Sequence, residues 1–488
     1  MLSKRQGSCR LRDKRLPVSE FGRAPSMESV LIEHGVVVTL DARRRVIRDG
    51  AVMIQGSRIA DVGKTDDLRR MYTPEHTIDA SRKLVIPGLI DCHVHLAQAL
   101  IRGCADDVAL IDWLGKYVWP LQGNYDAEDG RVSAKLCMLE MIKSGTTSFI
   151  ESMIHTRYGF DGIAKALEQS GMRGCLAKTI MDTPAYGRKQ MMHQGMIEDG
   201  EKSLAETVNM IDRWNGKANG RIAVWFGPRS LGACSKALYE KIAEEAAKRK
   251  TGITMHLCEV QEDLRYAHRK FKKSPVAFAK EVGLLGPRTV LAHAVWLTDR
   301  DMAILSKTHT SVCHCPWSNS KLASGIARIP EMIKKGVNVA LGCDGGPSNN
   351  AYDMITEMKL AACIHKVRLS NPITMPAQKI LELSTIGGAR ATGMEEKIGS
   401  LEQGKLADIV LVNLDSVHMV PNNNFISDLV YAGCGADVDT VIIDGKIVME
   451  GKRVKTLDER EIIQQAREKA SALVERTGLR PMTLSTYV

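Results

Sequence analysis

The sequence lacks the features that mark membrane-spanning, secreted and single-stranded nucleic-acid-binding proteins. It has no stretch of about 18 consecutive apolar residues, so no membrane-spanning helix is predicted. The N-terminus has no apolar core of a secretory signal, and aromatic residues make up only 5% of the chain, too few for a base-stacking surface. We therefore predict a globular protein with neither a membrane nor a nucleic acid as its partner.

The sequence also lacks the cysteine pattern of a disulfide or zinc-ribbon framework. Its 12 cysteines include no CxxC pair, and a chain of this length does not need disulfides to fold. We expect reduced thiols and a cytoplasmic location. In Cys313-His314-Cys315, strand alternation would send the two thiols to one side and the imidazole to the other, so core packing is expected rather than a metal clasp.

Positive charge is concentrated at the N-terminus. The net charge is +10, and residues 1–26 hold seven basic and two acidic side chains, which is half of that excess. The rest is too dispersed to indicate a partner. We expect residues 1–27 to be a disordered basic extension, with Met27 as an alternative start. A transit peptide is the less favoured reading because the segment contains acidic residues.

The pattern of apolar runs predicts an α/β protein. Residues 28–85 and 396–456 read as short strands with tight turns, and we expect them to pair in a small β-sandwich domain built from both ends of the chain. Between them, in residues 86–395, apolar strands alternate with amphipathic helices at about 40 residues per unit, which indicates a (β/α)8 TIM barrel. Residues 457–488 are expected to form a charged helix and a tail.

Chemistry-bearing residues follow the predicted barrel strands. His93 and His95 are two apart on one strand, so both project to the same face. His256, His293 and Asp344 each end a later apolar run, at successive spacings of 161, 37 and 51 residues that fit about four, one and one to two barrel units. Since the carboxyl ends of barrel strands share one face, these side chains are expected to converge. Imidazole and carboxylate donors suit a divalent first-row ion, most often zinc.

An acidic residue accompanies this predicted cluster. Glu259 lies three residues after His256, where a carboxylate could take a proton from a metal-activated water and pass it to a leaving group. In isolation it could equally be a solvated loop acid. Beside the other candidates we favour a proton-shuttling role.

Several spaced motifs together resemble the amidohydrolase superfamily, in particular its methylthioadenosine and S-adenosylhomocysteine deaminases, with atrazine chlorohydrolase as a relative. The resemblance covers about residues 28–475. It is carried by the segments Pro87–His95, His256–Glu259, Ala292–His293, Ser324–Ala327, Gly342–Gly345, Ser348–Asn350, Ile386–Arg390 and Ile398–Asp408.

The resemblance implies a hydrolase of carbon–nitrogen bonds other than peptide bonds, of the cyclic-amidine deaminase type. Water activated by one divalent ion, Zn²⁺ or alternatively Fe²⁺, would attack the amino-bearing carbon of a nitrogen heterocycle and release ammonia. The ion would be held by His93, His95, His256 and Asp344. Glu259 would shuttle protons, His293 would orient the water, and Asp344 would also accept its proton. Relatives of this kind commonly form homo-oligomers.

Two positions depart from the deaminase pattern. Gln122 stands where adenosine-type deaminases use a glutamate to grip the ribose diol, and Arg229 stands where they have a histidine. An arginine there suits a carboxylate, a phosphate or a ring carbonyl, so a nucleoside substrate is in doubt. Trp113, in the same segment as Gln122, and His155, expected near the third barrel strand, are further candidate substrate contacts.

The metal ligands do not choose the substrate, so alternatives remain open. The same machinery could remove chloride or an alkylamino group from a triazine-like ring, as the glutamine at position 122 also suggests. A cyclic-amide hydrolase is more distant. A catalytically inactive scaffold of the same fold is disfavoured because the complete set of candidate ligands is present.

Overall fold

The computed structural model describes residues 29–184, 186 and 191–479. The predicted N-terminal extension, residues 1–27, and the end of the predicted C-terminal tail lie outside this range. The strands are β1 (Ser29–Val38), β2 (Val46–Gln55), β3 (Arg58–Lys64), β4 (His76–Asp79), β5 (Lys83–Pro87), β6 (Leu89–Val94), β7 (Thr146–Ile154), β8 (Arg173–Ile180), β9 (Ile222–Pro228), β10 (Ile253–Leu257), β11 (Thr289–His293), β12 (Ser311–His314), β13 (Val339–Leu341), β14 (Ile409–Asn413), β15 (Val438–Ile443), β16 (Lys446–Glu450) and β17 (Arg453–Val454).

Helices connect most of the barrel strands. The α-helices are Thr65–Met71, Leu110–Trp113, Trp119–Gln122, Ala127–Lys143, Phe160–Ser170, Gly200–Trp214, Lys217–Gly220, Lys236–Arg249, Gln261–Phe271, Pro275–Glu281, Asp299–Thr308, Pro316–Lys321, Ile329–Lys334, Gly346–Asn349, Met354–Leu369, Ala377–Glu382, Gly388–Ala391, Phe425–Ser427 and Glu459–Thr477. The 3₁₀ turns are Leu96–Ile101, Thr156–Tyr158, Gln194–Met196 and Gly435–Asp437, and π-helical turns span Leu114–Val118, Leu383–Gly387 and Asp428–Ala432. Among the described residues, no helix has both the length and the apolar character to span a bilayer.

Strands β6 to β13 form an eight-stranded parallel sheet in chain order. The first and last strands meet beyond their regular pairing, where Val94 and Asp344 form a parallel bridge and the Asp344 amide donates to the His93 carbonyl oxygen at 2.7 Å. The sheet thereby closes, which confirms the predicted barrel. A closed parallel barrel brings the carboxyl ends of all its strands to one rim.

The remaining nine strands form one mixed sheet from both ends of the chain. Strand β5 pairs in parallel with β1 and antiparallel with β14, so the N-terminal and C-terminal segments are hydrogen-bonded directly. The sheet curls back on itself, so that β3 at its edge reaches the segment before β14. There the Ile59 amide donates to the Lys405 carbonyl oxygen at 2.8 Å. Its inner face buries a common core that includes Ile32, Val52 and Ile409. The expected terminal domain is therefore one curled sheet.

The Cys313-His314-Cys315 segment lies on the seventh barrel strand and behaves as alternation predicts. The two thiols are on one side, with their sulfurs 4.0 Å apart. The His314 ring lies on the other side, where its Nε2 is 3.1 Å from Nε2 of His365. All of these side chains are buried in the core.

Candidate metal centre and active site

Four predicted ligands converge at the carboxyl ends of the barrel strands. The ligand atoms of His93, His95, His256 and Asp344 all lie within 4.8 Å of one another, and all four residues are buried. Nε2 of His95 is 3.2 Å from Nε2 of His256 and 3.1 Å from Asp344 Oδ1. Nε2 of His93 lies 3.4 Å from the same carboxylate oxygen. Residues up to 251 positions apart in the sequence (93 to 344) thus share one small space.

The backbone bends sharply where these strands end. His293 and Asp344 have φ angles of 71° and 68°, and Cys258, between His256 and Glu259, has a φ of 56°. A positive φ at residues other than glycine costs of order 1–3 kcal/mol and persists only where the surroundings enforce it. The three bends turn the chain at the barrel rim and fix the direction of the adjacent side chains.

Hydrogen bonds hold two of the clustered side chains in place. Nδ1 of His256 donates to the Arg229 carbonyl oxygen at 2.7 Å, which leaves Nε2 with its lone pair toward the cluster. The Ser318 hydroxyl donates to Asp344 Oδ2 at 2.6 Å, while the other carboxylate oxygen faces the histidines. Outer bonds of this kind orient metal ligands and fix the imidazole tautomer.

The donor set fits a divalent metal ion. Neither ring nitrogen of His93 makes a hydrogen bond within the part of the chain that the structure describes. Burial lowers the pKa of His93 to about 3, so its imidazole is neutral. Burial would raise the pKa of Asp344, but the imidazoles of His93 and His95 beside it lower that pKa well below its usual value. Three neutral imidazoles and one carboxylate are what a zinc-type ion requires.

Glu259 and His293 form a buried pair beside the cluster. Glu259 Oε2 lies 3.6 Å from His293 Nε2, and the Ser324 hydroxyl is 3.5 Å from Oε1. Burial raises the pKa of Glu259 to about 7. Burial would lower the pKa of His293, but the Glu259 carboxylate raises it overall. Nδ1 of His293 donates to Asn319 Oδ1 at 3.0 Å, so Nε2 faces the site. Glu259 is not a solvated loop acid.

The predicted substrate contact Arg229 follows β9 and is buried. Its Cζ lies 5.0 Å from the centre of the Trp119 ring, and its Nε has no hydrogen-bond partner among the described residues. Burial lowers the pKa of Arg229. An unpaired buried polar group costs free energy. The unpaired guanidinium donor is therefore available to bond to a bound substrate.

Gln122 is also buried, and its partner was not foreseen from the sequence. Gln98 Nε2 donates weakly to Gln122 Oε1 at 3.4 Å, which leaves Gln98 Oε1 and Gln122 Nε2 without partners within the described residues. Gln98 lies against Gly345, the residue after Asp344, since a β-carbon at Gly345 would collide with its amide oxygen. Its position three residues after His95, in a short apolar turn, is the signal that could have identified it.

The other two predicted contacts, His155 and Trp113, are also buried. His155 follows β7, which is the second barrel strand and not the third, because only helical segments lie between β6 and β7. Its Nε2 is 3.1 Å from Glu198 Oε1, and Glu198 is paired with the buried Lys178 at 2.8 Å. The structure thus brings His155 to an ion-pair cluster. Trp113 is buried, and its Nε1 lacks a partner in the described chain.

Comparison with known proteins identifies the family of this chain. Residues 84–448 match the amidohydrolase family. This chain belongs to that family. It is 38% identical over 452 residues to a 5'-deoxyadenosine deaminase of Methanosarcina acetivorans, covering 93% of this chain and all of the relative. It is 36% identical over 450 residues to a 5-methylthioadenosine/S-adenosylhomocysteine deaminase of Pelotomaculum thermopropionicum, covering 92% and 100%.

Solved structures with the same fold include a zinc-bound adenosine deaminase from Xanthomonas campestris. It has a TM-score of 0.86 and 29% identity, covering 93% of this chain and all of that one. The zinc complex of atrazine chlorohydrolase from Arthrobacter aurescens has a TM-score of 0.82 over 90% of this chain and all of that one, and at 23% identity it shows the fold alone. The predicted family and fold are confirmed.

Proposed function

We propose that this chain is a metal-dependent hydrolase that releases ammonia from an amino-substituted nitrogen heterocycle. The observation that carries the proposal is the buried set of three imidazoles and one carboxylate within 4.8 Å of one another, with the Glu259–His293 pair beside it. The names of the relatives, which are deaminases of adenosine-type compounds, support the reaction class. We assign the chemistry to residues 86–395 and a supporting role to the terminal sheet, residues 28–85 and 396–456.

In this proposal His93, His95, His256 and Asp344 hold one divalent ion, zinc in preference to Fe²⁺. Such an ion would supply Lewis-acid chemistry that lowers the pKa of water toward about 7. His293 orients the nucleophile through the Nε2 that faces the site, and the Asp344 carboxylate is a second acceptor for its proton. The complete ligand set argues against an inactive scaffold.

Glu259 moves the protons. With a pKa near 7, its carboxyl group exists in both protonation states at neutral pH, so it can accept a proton and return it in one turnover. We propose that it passes one proton of the attacking water to the ring nitrogen, and passes the second, released as the new hydroxyl becomes a carbonyl, to the departing amino group. The second transfer is required because an amide ion is too basic to leave.

The unpartnered polar groups of Arg229, Gln98 and Gln122 indicate a polar ring. The unused Arg229 donor would be satisfied by a ring carbonyl or an anionic ring nitrogen. Gln98 and Gln122 together offer one free acceptor and one free donor, which match the N–H and C=O edge of a lactam. Gln122 also lacks the charge that strengthens a grip on a ribose diol. We therefore propose a free heterocyclic base carrying an oxygen substituent, rather than a nucleoside.

Hydrolytic removal of chloride or an alkylamino group from a triazine-like ring is the second candidate, and Gln122 is the observation that favours it. A turnover screen with adenosine derivatives, guanine, cytosine, pterins and triazines separates the two, with ammonia and chloride measured in parallel. Ammonia release from an oxygen-bearing base is expected. Chloride release alone would establish the second candidate and refute deamination.

Replacement of Arg229 tests the substrate assignment. Loss of a charged hydrogen bond costs about 1.5–3 kcal/mol, so Arg229→Met should lower kcat/KM by roughly 10- to 150-fold for a ring with the oxygen substituent. An analogue without that oxygen should be spared. Arg265→Met is the matched control, since Arg265 is exposed and bonded to Glu262. Equal losses on both substrates would contradict the assignment.

We also propose a homo-oligomer in a reducing, cytoplasmic compartment. The 11 cysteines that the structure describes are free thiols. Large apolar side chains are exposed at Val367, Ile373 and Val417, whose exposed fractions are 78%, 79% and 91%, and association would bury such surface. Light scattering on the purified chain measures the assembly, and a monomer at all concentrations would refute it.

A further inference from the structure

A second group of metal-ligating side chains lies outside the barrel. His418 is in the segment after β14, and Cys434 and Asp437 flank the turn that precedes β15. Their ligand atoms also lie within 4.8 Å of one another. His418 Nε2 is 2.7 Å from Asp437 Oδ2, and Cys434 Sγ is 3.4 Å from the same oxygen. An imidazole, a thiol and a carboxylate thus meet at one point.

The local turn does not require this convergence. The turn is completed by the Cys434 amide, which donates to Asp437 Oδ2 at 3.0 Å, and it is tied to the preceding loop by the Ser416 hydroxyl, which donates to Oδ1 at 2.7 Å. Neither the His418 ring nor the Cys434 thiol takes part in those bonds. Both nevertheless lie against Oδ2, the oxygen that also accepts from the Cys434 amide.

The arrangement resembles that of the buried centre, except that Asp437 Oδ2 also accepts from the Cys434 amide. There, the Ser318 hydroxyl holds one oxygen of Asp344, while the His95 imidazole lies 3.1 Å from the other. At the outer group, the Ser416 hydroxyl holds one oxygen of Asp437, and the His418 imidazole lies 2.7 Å from the other. A carboxylate fixed by a hydroxyl and faced by an imidazole is how metal ligands are commonly oriented.

We propose that His418, Cys434 and Asp437 form a second divalent-metal site, independent of the deaminase chemistry. Thiolate and imidazole donors together select zinc over calcium or magnesium. The His418 side chain is 43% exposed and that of Asp437 is 4% exposed, so the ion would be anchored on the protein side and open to water on the other. Binding would release the thiol proton and clamp the segment around His418 to the turn before β15.

Cobalt substitution distinguishes this site from the buried one. The buried ligand set contains no thiol, so a near-ultraviolet thiolate-to-cobalt charge-transfer band that depends on Cys434 reports on the outer site. We expect the band in the wild type and in Cys363→Ser, a matched control in which an exposed cysteine is removed. We expect no band in Cys434→Ser or His418→Ala. The absence of the band at saturating cobalt in the wild type would overturn the proposal.

Metal content and turnover separate this proposal from the proposed function. Cys434→Ser should lower bound zinc from two equivalents per chain to one and leave ammonia release unchanged, and retention of both equivalents would overturn the site. Should that variant fail to fold, cysteine alkylation in the wild type decides. Zinc at about ten times its Kd should slow alkylation of Cys434 roughly tenfold and leave Cys363 unaffected. Equal rates with and without zinc would refute the site.

Discussion

Replacement of Glu259 by glutamine tests the proposed proton transfer. The amide keeps the size of the side chain but can neither accept nor return a proton. Glu259 is buried, and its Oε2 lies 3.6 Å from His293 Nε2. Burial raises its pKa to about 7. General acid–base catalysis typically contributes about 10²–10⁴-fold. Since Glu259 is proposed to serve both the ring nitrogen and the amine, we expect kcat to fall by about 10³–10⁴-fold, or about 4–5.5 kcal/mol.

The assay measures kcat, KM and metal content on the same preparations. Glu259→Gln should keep its metal and its KM, because the carboxylate is neither a ligand nor the proposed contact to the ring oxygen. The rise in rate through pH 7 that follows deprotonation of Glu259 should disappear. Glu262→Gln is the matched control, since Glu262 is bonded to Arg265 at the surface. Undiminished kcat in Glu259→Gln would refute the assignment, and loss of metal would make Glu259 a ligand instead.

Two further predictions concern the surroundings of the site. Ser318→Ala removes the hydrogen bond to Asp344 and should weaken metal affinity by about 10- to 100-fold in a competition assay with a chelator; unchanged affinity would contradict the orienting role. Glu198→Gln leaves Lys178 buried without its partner and should lower the free energy of unfolding at pH 7 by about 3–5 kcal/mol. Burial would raise the pKa of Glu198, but Lys178 lowers it from 4.5 to about 2. The wild type should therefore lose this stabilisation as pH falls from 4.5 to 2, whereas the variant should not. Denaturant unfolding of both proteins at pH 7 and pH 3 measures this. An equal difference in free energy of unfolding at the two pH values would contradict the prediction.

The convergence of the candidate ligands and of His293 could be predicted because each of these residues belongs to a regular pattern. His93 and His95 are two apart on one strand, and His256, His293 and Asp344 each end an apolar run, at successive spacings of about four, one and one to two barrel units. A barrel converts such spacing into proximity, because the ends of its strands share one rim. The terminal sheet was likewise predicted from short β-rich runs separated by tight turns. Its single curled form could not be predicted, because it depends on pairing between distant segments.

Contacts made by loops could not be predicted in the same way. The approach of Gln98 to Gln122, and of Ser318 to Asp344, spans 24 and 26 residues that include several short helices, and no period relates the two partners. His155 was assigned to the wrong strand because the long helical segment between β6 and β7 does not fit a fixed unit length. Its contact with Glu198 depends on the path of the loop after β8, which the sequence pattern does not define.

The central claim is that one divalent ion at the buried centre is required for turnover. The most direct test is zinc titration of the metal-free Cys434→Ser chain, in which the outer site is removed, while ammonia release is followed. The rate should rise in proportion to added zinc and reach its maximum at one equivalent per chain, and Asp344→Asn in the same background should remain inactive. Full turnover by protein that elemental analysis shows to be free of transition metal would contradict the claim.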